Sequence, residues 1–112
     1  MPVHLTHQLM TNYLIIRVSG ELDLHAALEF RHKVEDELAR TSSKHLLLDF
    51  TALTFIDSSG LGAILGRYRT IRQLPGKMSI FGAGGTVRRI LELAGISKLI
   101  PLCETERQAA SC

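Results

Sequence analysis

The densest chemistry in the chain lies in six consecutive residues, Asp57-Ser58-Ser59-Gly60-Leu61-Gly62. A serine hydroxyl at the start of a helix is a natural phosphate site, because free backbone N–H groups and the positive end of the helix dipole favour an anion. Helix capping alone accounts for one Ser or Asp, at about 1 kcal/mol. It leaves Gly60 and Gly62 unexplained, since a glycine inside a helix costs roughly 0.8–1 kcal/mol relative to alanine. Gly66 continues the pattern on the face of Gly62. Either a neighbouring strand or a partner protein must come close to that bared backbone, and spacing alone favours neither. Nor does it choose between Ser58 and Ser59 as the phosphate acceptor.

Phosphorylation adds about −1.5 to −2 charges. For unit charges ~6 Å apart at an effective dielectric of ~40, each like pair costs about 1.4 kcal/mol. A dianion facing one partner carboxylate therefore weakens binding by ~3 kcal/mol, on the order of 100-fold. Gly20-Glu21-Leu22-Asp23 places two more carboxylates before a helix, as loop acids favourable to its dipole or as part of one recognition surface with Asp57. Nucleophilic catalysis fits poorly: a nucleophile elbow needs glycine two residues before the serine, and Ile56 and Asp57 hold those positions. The chain is read as a non-enzyme. Gly82-Ala83-Gly84-Gly85-Thr86-Val87 resembles a dinucleotide loop, but Val87 stands where the third glycine belongs. It is read as a strand-to-helix turn, with weak phosphate or nucleotide contact as the alternative.

The remaining reactive residues carry less. Cys103 and Cys112 lack the CxxC spacing of a metal or redox site and are expected to stay reduced. His25 and His32 are too far apart on a helix to share a metal without a ligand between them. No metal or cofactor is expected. With 112 residues, 13 Lys+Arg, 11 Asp+Glu and a net charge of +2, the chain suits one domain over residues 1–112 with an independent core. The basic residues are scattered with few aromatics between them, which argues against direct nucleic-acid binding. No apolar run approaches the ~18 residues of a membrane span. The start, Met1-Pro2-Val3-His4, lacks an export signal, so a cytoplasmic location is expected.

The elements that must position the serine turn follow from periodicity. Leu5–Met10 and Tyr13–Ser19 read as two strands around a Thr11-Asn12 turn. Ala27, Phe30, Val34 and Leu38 mark a helix that Thr41-Ser42-Ser43 ends. His45–Phe50 is nearly continuous in apolar residues, as in a strand covered on both faces. After the serine turn, Leu61, Ile64, Leu65, Tyr68 and Ile71 line one side of a second helix, with Arg67, Arg69 and Arg72 on the other. Lys77–Phe81 reads as a strand, Val87, Ile90, Leu91 and Ala94 as the buried stripe of a third helix, and Leu99–Leu102 as a last strand. The tail from Glu104 could be helical. The order β-β-α-β-α-β-α-β predicts an α/β fold, a small mixed sheet flanked by helices.

Gly20-Glu21-Leu22-Asp23, Leu48-Asp49-Phe50 and the run from Phe55 to Tyr68 together resemble the STAS-domain anti-sigma factor antagonists, the anti-anti-sigma factors. Asp57 to Tyr68 is most similar to the sporulation branch, which acts on the anti-sigma-F factor. The resemblance extends from Leu5 to about Ala110. It implies a STAS-like domain acting as a phosphorylation-controlled partner switch. In the family, the unmodified antagonist binds an anti-sigma factor that is also an ATP-dependent serine kinase, and so releases the sigma factor. Phosphorylation drives it off, and a serine phosphatase resets it. On this chain the phosphorylated residue corresponds to Ser58. The partner-binding residues correspond to Glu21, Asp23, Asp57, Ser58, Ser59 and Gly60, with Leu61 and Gly62 as the exposed helix start. A second class of function remains open beside it, a STAS module that senses a nucleotide or other anion.

Overall fold

The computed structural model describes residues 2–112. Strand β1 (His4–Leu9) turns through Thr11-Asn12 into β2 (Leu14–Leu22), and the two pair antiparallel. The turn closes through Met10 N–H donating to the Tyr13 carbonyl at 2.8 Å. Helix α1 (Leu24–Thr41) leads to β3 (His45–Asp49) and β4 (Leu53–Ile56). Helix α2 (Ser58–Gln73), β5 (Lys77–Phe81) and α3 (Gly85–Leu93) follow. A 3-10 turn at Ile96–Lys98, β6 (Leu102–Cys103) and α4 (Glu106–Ser111) complete the chain. The sheet order is β1-β2-β3-β5-β6, with β4 pairing β2, and every pair except β1–β2 is parallel. The predicted mixed sheet with flanking helices is therefore the observed architecture.

Alternation along the strands distributes the core. Leu14, Ile16 and Val18 of β2 and Leu46 and Leu48 of β3 join Phe30 and Val34 of α1 and Ile64 and Ile71 of α2 in the main cluster. Ile15, Leu47 and Phe81 point the other way and meet Ala109 of α4. This second layer is why β3 reads as apolar on both faces.

Three expectations need correction. The predicted order lacks β4, because Leu53–Ile56 is only four residues long and its middle pair, Thr54 and Phe55, is exposed. The segment Gly20–Leu22 is not a loop: β2 continues through it, past an irregularity at Gly20/Glu21, to pair with β4. The last strand begins at Leu102: Leu99 is the C-cap of the tight helical turn Ile96–Lys98, and Ile100 and Pro101 lie outside any strand.

Asp49 ties strand and turn together at the end of β3. Its Oδ2 accepts from Arg17 Nη1 at 2.6 Å, and its Oδ1 accepts from the Thr51 N–H at 2.9 Å and hydroxyl at 2.6 Å. Burial pushes the carboxyl pKa up, but the Thr51 hydrogen bonds and the Arg17 guanidinium outweigh it and hold it below its ordinary value. A carboxylate depressed in the folded state contributes stability that is present above its unfolded pKa and lost as pH falls through the folded one. Asp49→Asn is expected to lower stability at pH 7 by roughly 1–3 kcal/mol and to shrink the loss of stability below about pH 4. Urea unfolding of both proteins across that pH range checks it.

Candidate functional site

Two helix starts stand side by side. Leu22 of β2 pairs with Ile56 of β4, and each strand hands the chain to an aspartate that caps the next helix. Asp23 Oδ1 accepts from the Ala26 N–H at 3.0 Å, and Asp57 Oδ1 accepts from the Gly60 N–H at 3.0 Å. The Asp57 N–H in turn donates to the Leu22 carbonyl at 3.4 Å, coupling the two corners. Glu21 lies on β2 opposite Phe55, one residue before this junction. Glu21, Asp23, Asp57, Ser58 and Ser59 are thus brought to one rim of the fold, where the positive ends of α1 and α2 converge.

Because Asp57 is the cap, the hydroxyl of Ser58 is not consumed by that task. Ser58 is the first helical residue and is exposed, whereas Ser59 is half-buried. The structure therefore separates two serines that spacing could not. Ser59 lines a shallow groove of about 320 Å³ between α1 and α2, with Leu24, Leu28, Gly62 and Arg67. Leu61 departs from the exposed position that the resemblance implied: it is half-buried and packs against the main core. Gly62 is exposed.

The glycines divide into two kinds. A Cβ on Gly60 would lie 2.4 Å from the Leu22 carbonyl oxygen and 2.8 Å from Ile56 Cγ1, so glycine lets α2 start against the end of β2. A Cβ on Gly62 or Gly66 would meet nothing within 4 Å. Internal packing explains the first glycine and leaves the other two as an open strip of backbone. Gly60→Ala is expected to destabilise the fold by roughly 1–3 kcal/mol through overpacking. Gly62→Ala is expected to stabilise it by up to about 1 kcal/mol through helix propensity. Paired thermal melts distinguish the two signs.

Arg67 also departs from expectation. It does not join Arg69 and Arg72 on the solvent side but is 7% exposed, with its Nη2 3.3 Å from Glu35 Oε2 on α1. Its Nε and Nη1 have no hydrogen-bond partner among the described residues. Burial lowers its pKa, Glu35 opposes that and Arg31 adds to it; the guanidinium stays charged. Sequence reasoning missed the groove's apolar wall, Leu24 and Leu28, which are 68% and 57% exposed. Their signal was available: two leucines one turn apart, off the stripe of Ala26, Phe30 and Val34 that faces the core.

The glycine-rich segment after β5 is a strand-to-helix turn. Gly82 adopts φ 79° and leaves room for Thr51, and Gly84 precedes α3. Among the described residues, no group of three His, Cys, Asp or Glu could hold a metal ion, and no helix is long and apolar enough to cross a membrane.

Comparison with known proteins places this geometry. The STAS domain family matches residues 5–109. An anti-sigma F factor antagonist of Paenibacillus polymyxa is 40% identical over 96 residues, which cover 86% of this chain and 82% of that protein. The structure of the anti-sigma factor antagonist SpoIIAA in its unphosphorylated form superposes with a TM-score of 0.81 at 29% identity, covering 95% of this chain and 92% of that one. The phosphorylated form of the Bacillus cell fate determinant SpoIIAA gives a TM-score of 0.74 at 28% identity, covering 96% and 97%.

Proposed function

The chain belongs to the STAS-domain family, and on that premise we propose that it is an anti-sigma factor antagonist whose docking is switched by phosphorylation of Ser58. Residues 1–112 act as one STAS domain in the cytoplasm. The unmodified form binds an anti-sigma factor that is also a serine kinase and so frees the sigma factor. The similarity to an anti-sigma F factor antagonist favours the sporulation pathway.

The observation that carries this reading is the division of labour at the start of α2. Asp57 does the capping, Ser58 is exposed, and Gly62 offers open backbone beside it. The chemistry asked of this chain is small. A kinase transfers the γ-phosphoryl group of ATP to Ser58 Oγ, and the hydroxyl proton leaves to a base on the kinase. The helix N-terminus tolerates the new anion through its N–H groups and dipole. The same anion stands among Glu21, Asp23 and Asp57, so any partner that docks across this rim meets a concentrated negative charge. A serine phosphatase removes it and restores binding. Glu21, Asp23, Asp57, Ser58, Ser59 and Gly62 make up the rim, the buried Gly60 and half-buried Leu61 support it from within, and the exposed Leu24 and Leu28 extend it along the groove.

Co-purification with candidate anti-sigma kinases, with and without ATP, tests the reading. A stable complex with ADP that dissociates as ATP is consumed is the expected result. Saturable binding of ATP to the chain alone, with no complex formed, would replace it with the anion-sensing alternative.

A further inference from the structure

We propose that Cys103 and Cys112 form a reversible dithiol–disulfide pair that fastens α4 to the sheet. Their spacing of nine residues carries no motif, yet the fold brings Cys103 Sγ and Cys112 Sγ to 3.3 Å. Cys103 ends β6, and Cys112 caps the C-terminus of α4. Cys103 is half-buried and Cys112 is exposed, so an oxidant has access to the pair.

The helix that the bond would secure is short. At six residues, α4 is below the length at which a helix is stable on its own in water. Its first turn is well anchored: Thr105 and Gln108 form a reciprocal capping box, and Tyr13 Oη donates to Glu106 Oε2 at 2.8 Å. Ala109 is fully buried against the second core layer. Beyond it the last turn is held by weaker contacts, with Cys112 N–H donating to the Ala109 carbonyl at 3.3 Å and its thiol to the Gln108 carbonyl at 3.2 Å. A covalent link at this point closes the loose end.

The two sulfurs have different roles. Burial and the neighbouring Cys112 push the Cys103 thiol up to about 11. Cys112, the more exposed of the two, is the first to react: its thiolate attacks one sulfur of a small-molecule disulfide and expels one small thiol. Cys103 then gives up its proton and attacks Cys112 Sγ, forming the protein disulfide and expelling the second small thiol. Two electrons pass from the protein dithiol to the external disulfide, which leaves as two thiols. Side-chain rotation must shorten the 3.3 Å approach to a bond of about 2.05 Å. This pair acts independently of Ser58 and of any partner.

The test treats the purified full chain with oxidised glutathione and follows thiol content, intact mass and amide hydrogen exchange. The expected product is a monomer with no free thiol, lighter by two hydrogens, with a single cross-linked peptide joining Cys103 and Cys112. Exchange of the α4 amides should slow by up to on the order of 100-fold, the effect of closing a loop of this length. Cys103→Ser and Cys112→Ser should each end as a single glutathione adduct with unslowed α4 exchange. Two stable glutathione adducts on the unmodified sequence, disulfide-linked dimers, or two thiols left free would overturn the pairing. A disulfide that leaves α4 exchange unchanged would overturn the fastening.

Discussion

Phosphorylated at Ser58, the protein is expected to bind its anti-sigma partner on the order of 100-fold more weakly than the unmodified form. The magnitude follows from charge alone. A phosphoserine carries about −1.5 to −2 charges, and facing one partner carboxylate ~6 Å away at an effective dielectric of ~40 it costs ~3 kcal/mol. No rearrangement of the core is needed, because Ser58 is exposed and the helix is capped by Asp57. Ser58→Asp carries about half that charge and is expected to lose roughly tenfold. Ser58→Ala is expected to bind as the unmodified protein does. Titration calorimetry of the four forms against one partner checks the series. Its slope against ionic strength should flatten as salt screens the exposed charges. Equal affinities for Ser58→Ala and Ser58→Asp would remove charge as the gate.

Gly62→Leu is expected to leave the fold intact while weakening partner binding roughly 10–100-fold. The two effects have separate causes. Within the chain nothing lies within 4 Å of the position where the new side chain begins, and leucine is the better helix former by about 0.8 kcal/mol. At a docked interface the same side chain enters a space matched to bare backbone, and overpacking of that kind costs about 1–3 kcal/mol. Thermal melts and partner titration on the same preparation read both quantities. An unchanged affinity would move the docking surface away from the strip between Gly62 and Gly66. Gly60→Ala is the internal contrast, since its penalty falls on folding through the Leu22 carbonyl.

Much of the site was legible because it is local. An Asp-Ser-Ser-Gly run ahead of an apolar helix fixes a cap, a first turn and a bared backbone within six residues, and the resemblance rested on that run together with Gly20–Asp23 and Leu48–Phe50. What the sequence could not resolve were the tertiary choices. The pair Ser58 and Ser59 is separated by burial, since Ser58 is exposed while Ser59 is half-buried and lines the groove with Leu24 and Leu28. Arg67 falls with Arg69 and Arg72 by composition, but the packing of α2 on α1 turns it inward to Glu35. Strand β4 was hidden because its four residues include two exposed ones, and its pairing with β2 is interrupted by the register shift between Gly20 and Glu21. Glu21 and Asp23 were recognised as acids near a helix start. That one belongs to a strand and the other is the cap of α1 depends on that same pairing. Cys103 and Cys112 meet only because α4 folds back over β6, a contact with no counterpart in spacing.

The switch turns on which oxygen receives the phosphate. Incubation of the unmodified protein and Ser58→Ala with the cognate kinase and ATP, followed by peptide-level mass spectrometry, measures it. One phosphate on Ser58, and none on Ser58→Ala, is the expected result. Phosphate on Ser59, or undiminished labelling of Ser58→Ala, would contradict it.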